Sequence, residues 1–241
     1  MKSSLLTAKN NPFEICETQA APLSECEVLV SLKASALNHR DLWIQKGLYA
    51  GIEYPLTTGS DAAGVVEATG VNVTRFNQGD EVIINPAFFW GDNEDAQSNA
   101  FQILGLPLKG THASHVVVPY HRLHDKPEHL SWTEAAALPL AGLTAYRALF
   151  SRAQLKPGDT VFITGVGGGV AVFALQFALA FGVKVYVSSS SKEKAQKATA
   201  LGASHCFNYK SKHWLKEAKE KIGGVDVVID GAGGDGLSAL I

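Results

Sequence analysis

Residues 164–171 read Thr-Gly-Val-Gly-Gly-Gly-Val-Ala and lie between an uncharged run at 160–164 and an apolar run at 169–181. The first run has the make-up of a buried strand and the second that of a helix. A glycine-rich turn in that setting is built to grip a diphosphate. Gly165 permits a tight turn, and Gly167 and Gly168 let backbone N–H groups approach an anion with no Cβ in the way. Ala171 is small enough for the helix to pack close to the strand. Gly169 and Val170 open that helix, whose unpaired N–H groups and dipole favour negative charge. The expected ligand is a dinucleotide.

The next uncharged run, 183–187, decides between the two nicotinamide dinucleotides. A site for NADH usually has Asp or Glu about 20 residues past the glycines, bonded to the ribose 2′-OH. This chain has Ser188, Ser189 and Ser190 there, followed by Lys192 and Lys194. Hydroxyls and ammonium groups suit a 2′-phosphate, so the expected cofactor is NADPH. The same serines also suit a helix N-cap, and the same lysines a solvated helix face.

These residues need a scaffold, and the pattern around them supplies one. From about residue 157 the order is strand 160–164, helix 169–181, strand 183–187, helix 192–201, strand 205–208, helix 212–222 and strand 225–230. Strands without polar alternation, separated by helices, imply a parallel sheet covered on both faces. Upstream the chain reads as β-rich, with strands at Glu27–Ala36, 63–68, 80–84 and 113–118. In the first of these, Val28, Val30, Leu32 and Ala34 alternate onto one face. A short helical segment is expected at 41–46, closed by Gly47, and an irregular excursion at 85–108. Ser131 and Glu134 form a capping box ahead of an apolar helix at 135–150, which Pro139 should kink or divide.

Composition excludes several classes. Charged residues make up 18% and hydrophobic residues 46%, enough for a sizeable core. With 21 basic and 23 acidic residues there is no electrostatic case for nucleic acid or an anionic membrane. No apolar run is long enough to span a bilayer and no signal-peptide pattern is visible, so a cytoplasmic protein is expected. Cys16, Cys26 and Cys206 form no CxxC pair and read as free thiols. Of the eight histidines, none forms a helical H-x-x-x-H pair, and no metal site is expected.

Several ordered segments together resemble the medium-chain dehydrogenase/reductase superfamily. They are Asn38-His-Arg-Asp41, Gly47-Leu-Tyr49, Pro-Leu-Thr-Thr-Gly-Ser-Asp-Ala-Ala-Gly at 55–64, Gly79-Asp-Glu-Val82, the run at 138–149, the glycine loop and Leu201-Gly-Ala203. The resemblance implies an α/β plus β fold, with an N-terminal GroES-like β domain (1–124) followed by a Rossmann domain (125–241) whose doubly wound parallel sheet is incomplete. Zinc-dependent members carry Cys, His and Cys at the places of Asn38, Ser60 and Ala141. An amide, a hydroxyl and a methyl cannot replace them, and 85–108 holds no four-Cys lobe.

The zinc-independent, quinone-oxidoreductase-like branch remains. It implies hydride transfer from NADPH to a quinone, enone or related small carbonyl compound. In that branch Tyr49 matches a cleft tyrosine, Asn38 and Thr144 match residues beside the nicotinamide, and Tyr209 matches a residue flanking the adenosine phosphate. The plainer alternatives are a loop aromatic, a turn residue and a helix-packing hydroxyl for Tyr49, Asn38 and Thr144. The resemblance also implies a homodimer for the full-length form. Four strands are expected where the complete fold has six, so the chain is expected to be truncated at its C-terminus. The two other readings are a non-catalytic NADPH-binding protein, structural or sensory, and a zinc-type alcohol dehydrogenase.

Overall fold

The computed structural model describes residues 1–19 and 22–233, in two compact units, Met1–Leu140 and Ala141–Ile241. The first unit contains β1 (Lys2–Leu6), β2 (Glu14–Glu17), β3 (Glu27–Ala36), α1 (His39–Gln45), β4 (Leu56–Thr57), β5 (Asp61–Thr69) and β6 (Glu81–Ile84). It continues through β7 (Ala87–Phe88), β8 (Gln102–Ile103), β9 (His115–Pro119), β10 (Leu123–Asp125) and α2 (Trp132–Ala137). Five strands form an antiparallel sheet in the order β10-β6-β5-β3-β9, and β2-β1-β4 form a second. Val28 and Val30 of β3 face Val66, Val82, Ile84, Val116, Val118 and Leu123 in one core.

The expected alternation along β3 holds only in part. The pairing with β5 shifts between Leu32 and Ala34, leaving Lys33 as an extra residue. Such a bulge breaks the two-residue period. Leu32 borders the main core, whereas Ala34 packs with Ala63, Ala135 and Ala136 in another cluster. Gly64 lies opposite this bulge, and a Cβ there would come within 2.4 Å of the Ser31 carbonyl oxygen.

The same alanine cluster moves the unit boundary. Ala135 and Ala136 of α2 lie on Ala34 and Ala63 of the β sheet, so residues 125–140 belong with the first unit and not, as the sequence suggested, with the second. The capping box at the start of α2 is formed: Ser131 N–H donates to Glu134 Oε2 at 2.9 Å, and Glu134 N–H donates to Ser131 Oγ at 3.4 Å. The single helix expected at 135–150 is divided. α2 ends at Ala137 with Leu138 as its C-cap, α3 (Pro139–Tyr146) follows, and a wider turn closes with Ala153 N–H on the Ala148 carbonyl at 3.0 Å. Pro139 has no N–H with which to continue α2. The 85–108 excursion contains the β7–β8 pair and sends Phe88 and Leu104 into the core.

The second unit runs β11 (Thr160–Ile163), α4 (Gly169–Ala180), β12 (Lys184–Ser188), α5 (Lys192–Ala200), β13 (His205–Phe207), α6 (Trp214–Ile222) and β14 (Val227–Ile229). All strand pairs are parallel, in the order β13-β12-β11-β14. This is the 3-2-1-4 portion of the doubly wound sheet. Successive residues on each strand face opposite layers. Val161, Ile163, Val185 and Val187 pack on Ala171, Ala174, Leu175 and Ala178 of α4, while Phe162, Tyr186 and Phe207 pack on Ala218 and Trp214 of α6. Each fully buried aliphatic side chain contributes about 1.5–3 kcal/mol. Residues 236–241, expected from the sequence to fall inside a further helix, lie outside the described residues. No helix among the described residues is long and apolar enough to cross a membrane.

Candidate functional site

The glycine loop lies at the carboxyl ends of β11, β12 and β14, where ligands of open α/β sheets bind. Val166 N–H donates to the Ser188 carbonyl at 2.8 Å, Gly165 N–H to Ser188 Oγ at 3.2 Å, and Thr164 N–H to the Ile229 carbonyl at 3.0 Å. Thr164 Oγ1 donates to Asp230 Oδ1 at 2.5 Å, and the N–H groups of Ala232 and Gly233 also bond the Asp230 carboxylate. The Thr164 hydroxyl, more than the other bonds, holds the Asp230 carboxyl below its usual range. The loop is thus tied down on both sides.

Its glycines differ in what makes them glycine. Gly167 has φ +121°, and a Cβ there would lie 2.5 Å from Lys194 Cδ. Gly169 lies close to α3, with 3.1 Å between its notional Cβ and Ala141 Cβ. Gly168 has φ −85°, which any residue adopts, and a Cβ there would meet nothing within 4 Å. No side chain caps α4, whose N-cap is Gly168. The first turn of α4, with half-buried Val170, therefore begins beside open space with its orphan N–H groups uncapped by any side chain.

The serine run separates into two inward and two outward residues. Ser188 and Ser189 are buried, at 2% and 6% exposure. Ser188 Oγ accepts from Gly165 N–H and Ser189 Oγ accepts from Ser191 N–H at 3.2 Å, so both hydroxyls help to hold the loop. Ser190 is exposed and its hydroxyl donates to Tyr209 Oη at 2.9 Å. Ser191 caps α5. The Lys194 stem lies over Gly167, and Lys192 is exposed on the first turn of α5. Ser190, Tyr209, Lys192 and Lys194 are exposed polar side chains on the segments that follow β12 and β13. Glu193 is bound to Lys197 at 2.7 Å.

In the first unit, Asn38 and Tyr49 flank α1. Asn38 Nδ2 donates to Asp61 Oδ2 at 2.9 Å, and Asn38 N–H donates to Asp41 Oδ2 at 2.8 Å. Asp41 Oδ1 also accepts the Gly59 N–H at 3.2 Å, tying α1 to the 57–60 segment. Asn38 and Asp41 line a pocket of about 380 Å³ with Phe13, Leu37, Leu42 and His112. Tyr49 is 40% exposed, with the Arg40 guanidinium 5.1 Å from its ring centre. Thr144 lies at an exposed position of α3, in the second unit.

Two buried charges here were not singled out from the sequence. Arg40 Nη1 donates to Ser60 Oγ at 2.8 Å and to the Leu104 carbonyl at 3.0 Å. Asp61, 1% exposed, accepts Asn38 Nδ2 on one oxygen and Leu140 N–H on the other, at 2.7 Å. Burial pushes its pKa up to about 6, against the lowering effect of those two bonds. The available signal was a carboxylate opening the otherwise apolar run 61–66.

Residues 24–128 match the alcohol dehydrogenase GroES-like domain family, and residues 169–241 match the zinc-binding dehydrogenase family. A crystal structure of an NAD-dependent alcohol dehydrogenase superposes with a TM-score of 0.94 at 37% identity, over 100% of this chain and 73% of that one. The chain belongs to the medium-chain dehydrogenase/reductase superfamily. A zinc-type alcohol dehydrogenase-like protein of Schizosaccharomyces pombe is 43% identical over 84% of this chain and 60% of its own length. Human quinone oxidoreductase is 30% identical over 85% of this chain and 57% of its own length. The chain thus spans about 60% of the length of these curated relatives.

Within this superfamily the zinc question turns on donor chemistry. Asn38 presents its NH₂ to Asp61, and Ser60 Oγ is shared between the Arg40 guanidinium and the Leu104 carbonyl, to which it donates at 2.7 Å. Neither is a thiolate or an imidazole, and a cation already sits against Ser60. These residues do not fit zinc. The glycine loop, by contrast, fits a dinucleotide diphosphate: the open space over Gly168 is a cradle that a side chain would fill.

Proposed function

We propose that this chain is the cofactor-binding portion, with part of the catalytic portion, of an NADPH-dependent oxidoreductase that reduces a quinone, enone or related carbonyl compound without zinc. The observation that carries the reading is Gly168, a glycine that neither backbone strain nor crowding requires. A diphosphate against the N-terminus of α4 gives it a reason. NADPH, when bound, supplies the hydride. Ser190, Tyr209, Lys192 and Lys194 offer hydroxyls and ammonium groups where a 2′-phosphate is recognised, and no unpaired carboxylate of β12 or α5 opposes it.

The chain's remaining part is to orient the substrate and meet the charge that develops on its oxygen. With no metal donor set, hydrogen bonding must do this. Tyr49 provides a hydroxyl at an exposed position, held beside a buried guanidinium. Asn38 provides a carboxamide already fixed at one end.

The test has two parts. Titrating the chain with each reduced nucleotide, followed by nicotinamide fluorescence, should give tighter binding of NADPH than NADH. The full-length protein should then oxidise NADPH in the presence of a panel of quinones and enones. Tighter NADH binding overturns the cofactor choice. NADPH binding with no turnover on any acceptor overturns the enzyme reading in favour of a binding protein.

A further inference from the structure

In the order β13-β12-β11-β14, the sheet grows from β11 first to one side and then, with β14, to the other. A dinucleotide lies across the crevice at such a reversal, with one mononucleotide on each side. Ser190 and Tyr209, which suit a 2′-phosphate, follow β12 and β13, so the adenosine half belongs on that side and the nicotinamide half over β14. Thr164 directly follows β11 and Asp230 directly follows β14, so the hydrogen bond between them spans the reversal itself.

The pair belongs to a closed network. The Thr164 hydroxyl donates to Asp230 Oδ1 and accepts from Gly231 N–H at 3.2 Å. Ala232 N–H donates to Oδ1 at 3.1 Å, and Gly233 N–H to Oδ2 at 3.2 Å. Each residue from 230 to 233 is thereby tied to Thr164 or to the carboxylate that Thr164 holds. The two loops also touch, with a notional Cβ on Gly165 lying 3.8 Å from Ala232 Cβ. On charge alone, a carboxylate is a poor neighbour for a diphosphate. Its use here is geometric. We propose that Thr164 and Asp230 are a positioning pair that fixes residues 230–233 against the glycine loop and so shapes the nicotinamide side of the crevice, leaving the adenosine side unchanged. The proposal rests on the reading of the glycine loop as a dinucleotide site.

A purely structural role is separable, because a second carboxylate ties the same two strands at their other end. Asp226 Oδ2 accepts Thr160 N–H at 2.8 Å. That bond lies four residues before Thr164, or about 13 Å along the strand. D226A therefore loosens the β11–β14 pair far from the crevice. T164V keeps the size and branching of the side chain and removes only the hydroxyl. T164S keeps the hydroxyl and removes only a methyl.

The readout is a pair of dissociation constants from calorimetric titration of the full-length protein, one for NADPH and one for adenosine 2′,5′-bisphosphate, a probe of the adenosine half alone. In T164V the constant for NADPH should rise about tenfold, the equivalent of one buried hydrogen bond, and that for the fragment should stay within about twofold of the parent. T164S, which restores the hydroxyl, should recover NADPH binding. D226A should melt at a lower temperature and bind both ligands as the parent does. T164V/D230A should bind NADPH no more weakly than D230A, because the two residues act through one contact. Equal weakening of both ligands in T164V, or no weakening of either, overturns the positioning pair. A parent protein that binds neither ligand overturns the dinucleotide reading instead.

Discussion

The hydroxyl of Ser190 donates to the hydroxyl of Tyr209 at 2.9 Å, joining the loop after β12 to the loop after β13. Both side chains are exposed, and the nearest carboxylate of α5, Glu193, is held by Lys197. Two hydroxyls that meet at the surface beside lysines leave lone pairs and protons to offer a phosphate. With Lys194 already lying over the glycine loop, K194A should weaken NADPH binding by about tenfold, the value of one charge-assisted bond, and leave NADH within about twofold. Equal losses for the two nucleotides, measured by fluorescence titration, would remove Lys194 from 2′-phosphate recognition.

Gly168 allows binding to be tested without damage to the fold. Its φ of −85° suits alanine, and a methyl there touches nothing. G168A should therefore lose no more than about 1 kcal/mol of stability, the cost of alanine in place of glycine at a helix N-cap. Its methyl would occupy the space in which a diphosphate approaches the α4 amides, so NADPH binding should fall by at least about a hundredfold, or roughly 3 kcal/mol. In G167A the strained φ of +121° and the contact with Lys194 should lower stability as well. If G168A binds NADPH like the parent, the loop is not the diphosphate site.

Asp61 links stability to pH with a definite sign. Its carboxyl titrates near 6 in the fold against 3.8 as the ordinary value, chiefly because burial penalises the charge. Asp41 raises that value and Arg40 lowers it, in addition to the two bonds from Asn38 and Leu140. The folded state binds the proton more tightly than the unfolded chain. The associated stability is fully present below about pH 4 and is lost as pH rises through about 6. The contribution is roughly 3 kcal/mol at most. Asn cannot ionise, so the stability of D61N, measured by denaturant titration, should improve relative to the parent between about pH 4 and about pH 7. A difference that stays constant over that window would show that Asp61 is ionised throughout.

The sheet of the second unit was legible because β11 and β12 carry uncharged apolar runs flanked by helices, and the loop was legible because four of six residues at 164–169 are glycine. The strands of the three-stranded sheet, β1, β2 and β4, were not. Lys-Ser-Ser-Leu-Leu and Glu-Ile-Cys-Glu have little alternation, and tertiary pairing, not local pattern, makes them strands. The four serines looked equivalent in sequence. Only the position of the Gly165 and Ser191 N–H groups turned two of them inward. Asp61 and Arg40 were missed for a related reason. Their roles depend on partners 20 or more residues away, such as Ser60 for Arg40 and Leu140 for Asp61, which no short motif encodes.

The same buried guanidinium bears on zinc. Family members that hold a catalytic zinc supply thiolate and imidazole at positions where this chain has Asn38 and Ser60. Here Arg40 Nη1 lies 2.8 Å from Ser60 Oγ, and its Nη1–H groups are fixed by Ser60 and the Leu104 carbonyl. A divalent ion at that spot would meet a buried positive charge at close range, where repulsion is weakly screened. Purified protein should therefore contain no stoichiometric zinc by elemental analysis, and a strong chelator should leave NADPH oxidation unchanged. Restoring two of the three donors in N38C/S60H should still fail to confer tight zinc binding, because Arg40 remains and Ala141 supplies no third ligand. Stoichiometric zinc in the parent protein, lost together with activity on chelation, would place this chain among the metal-dependent dehydrogenases.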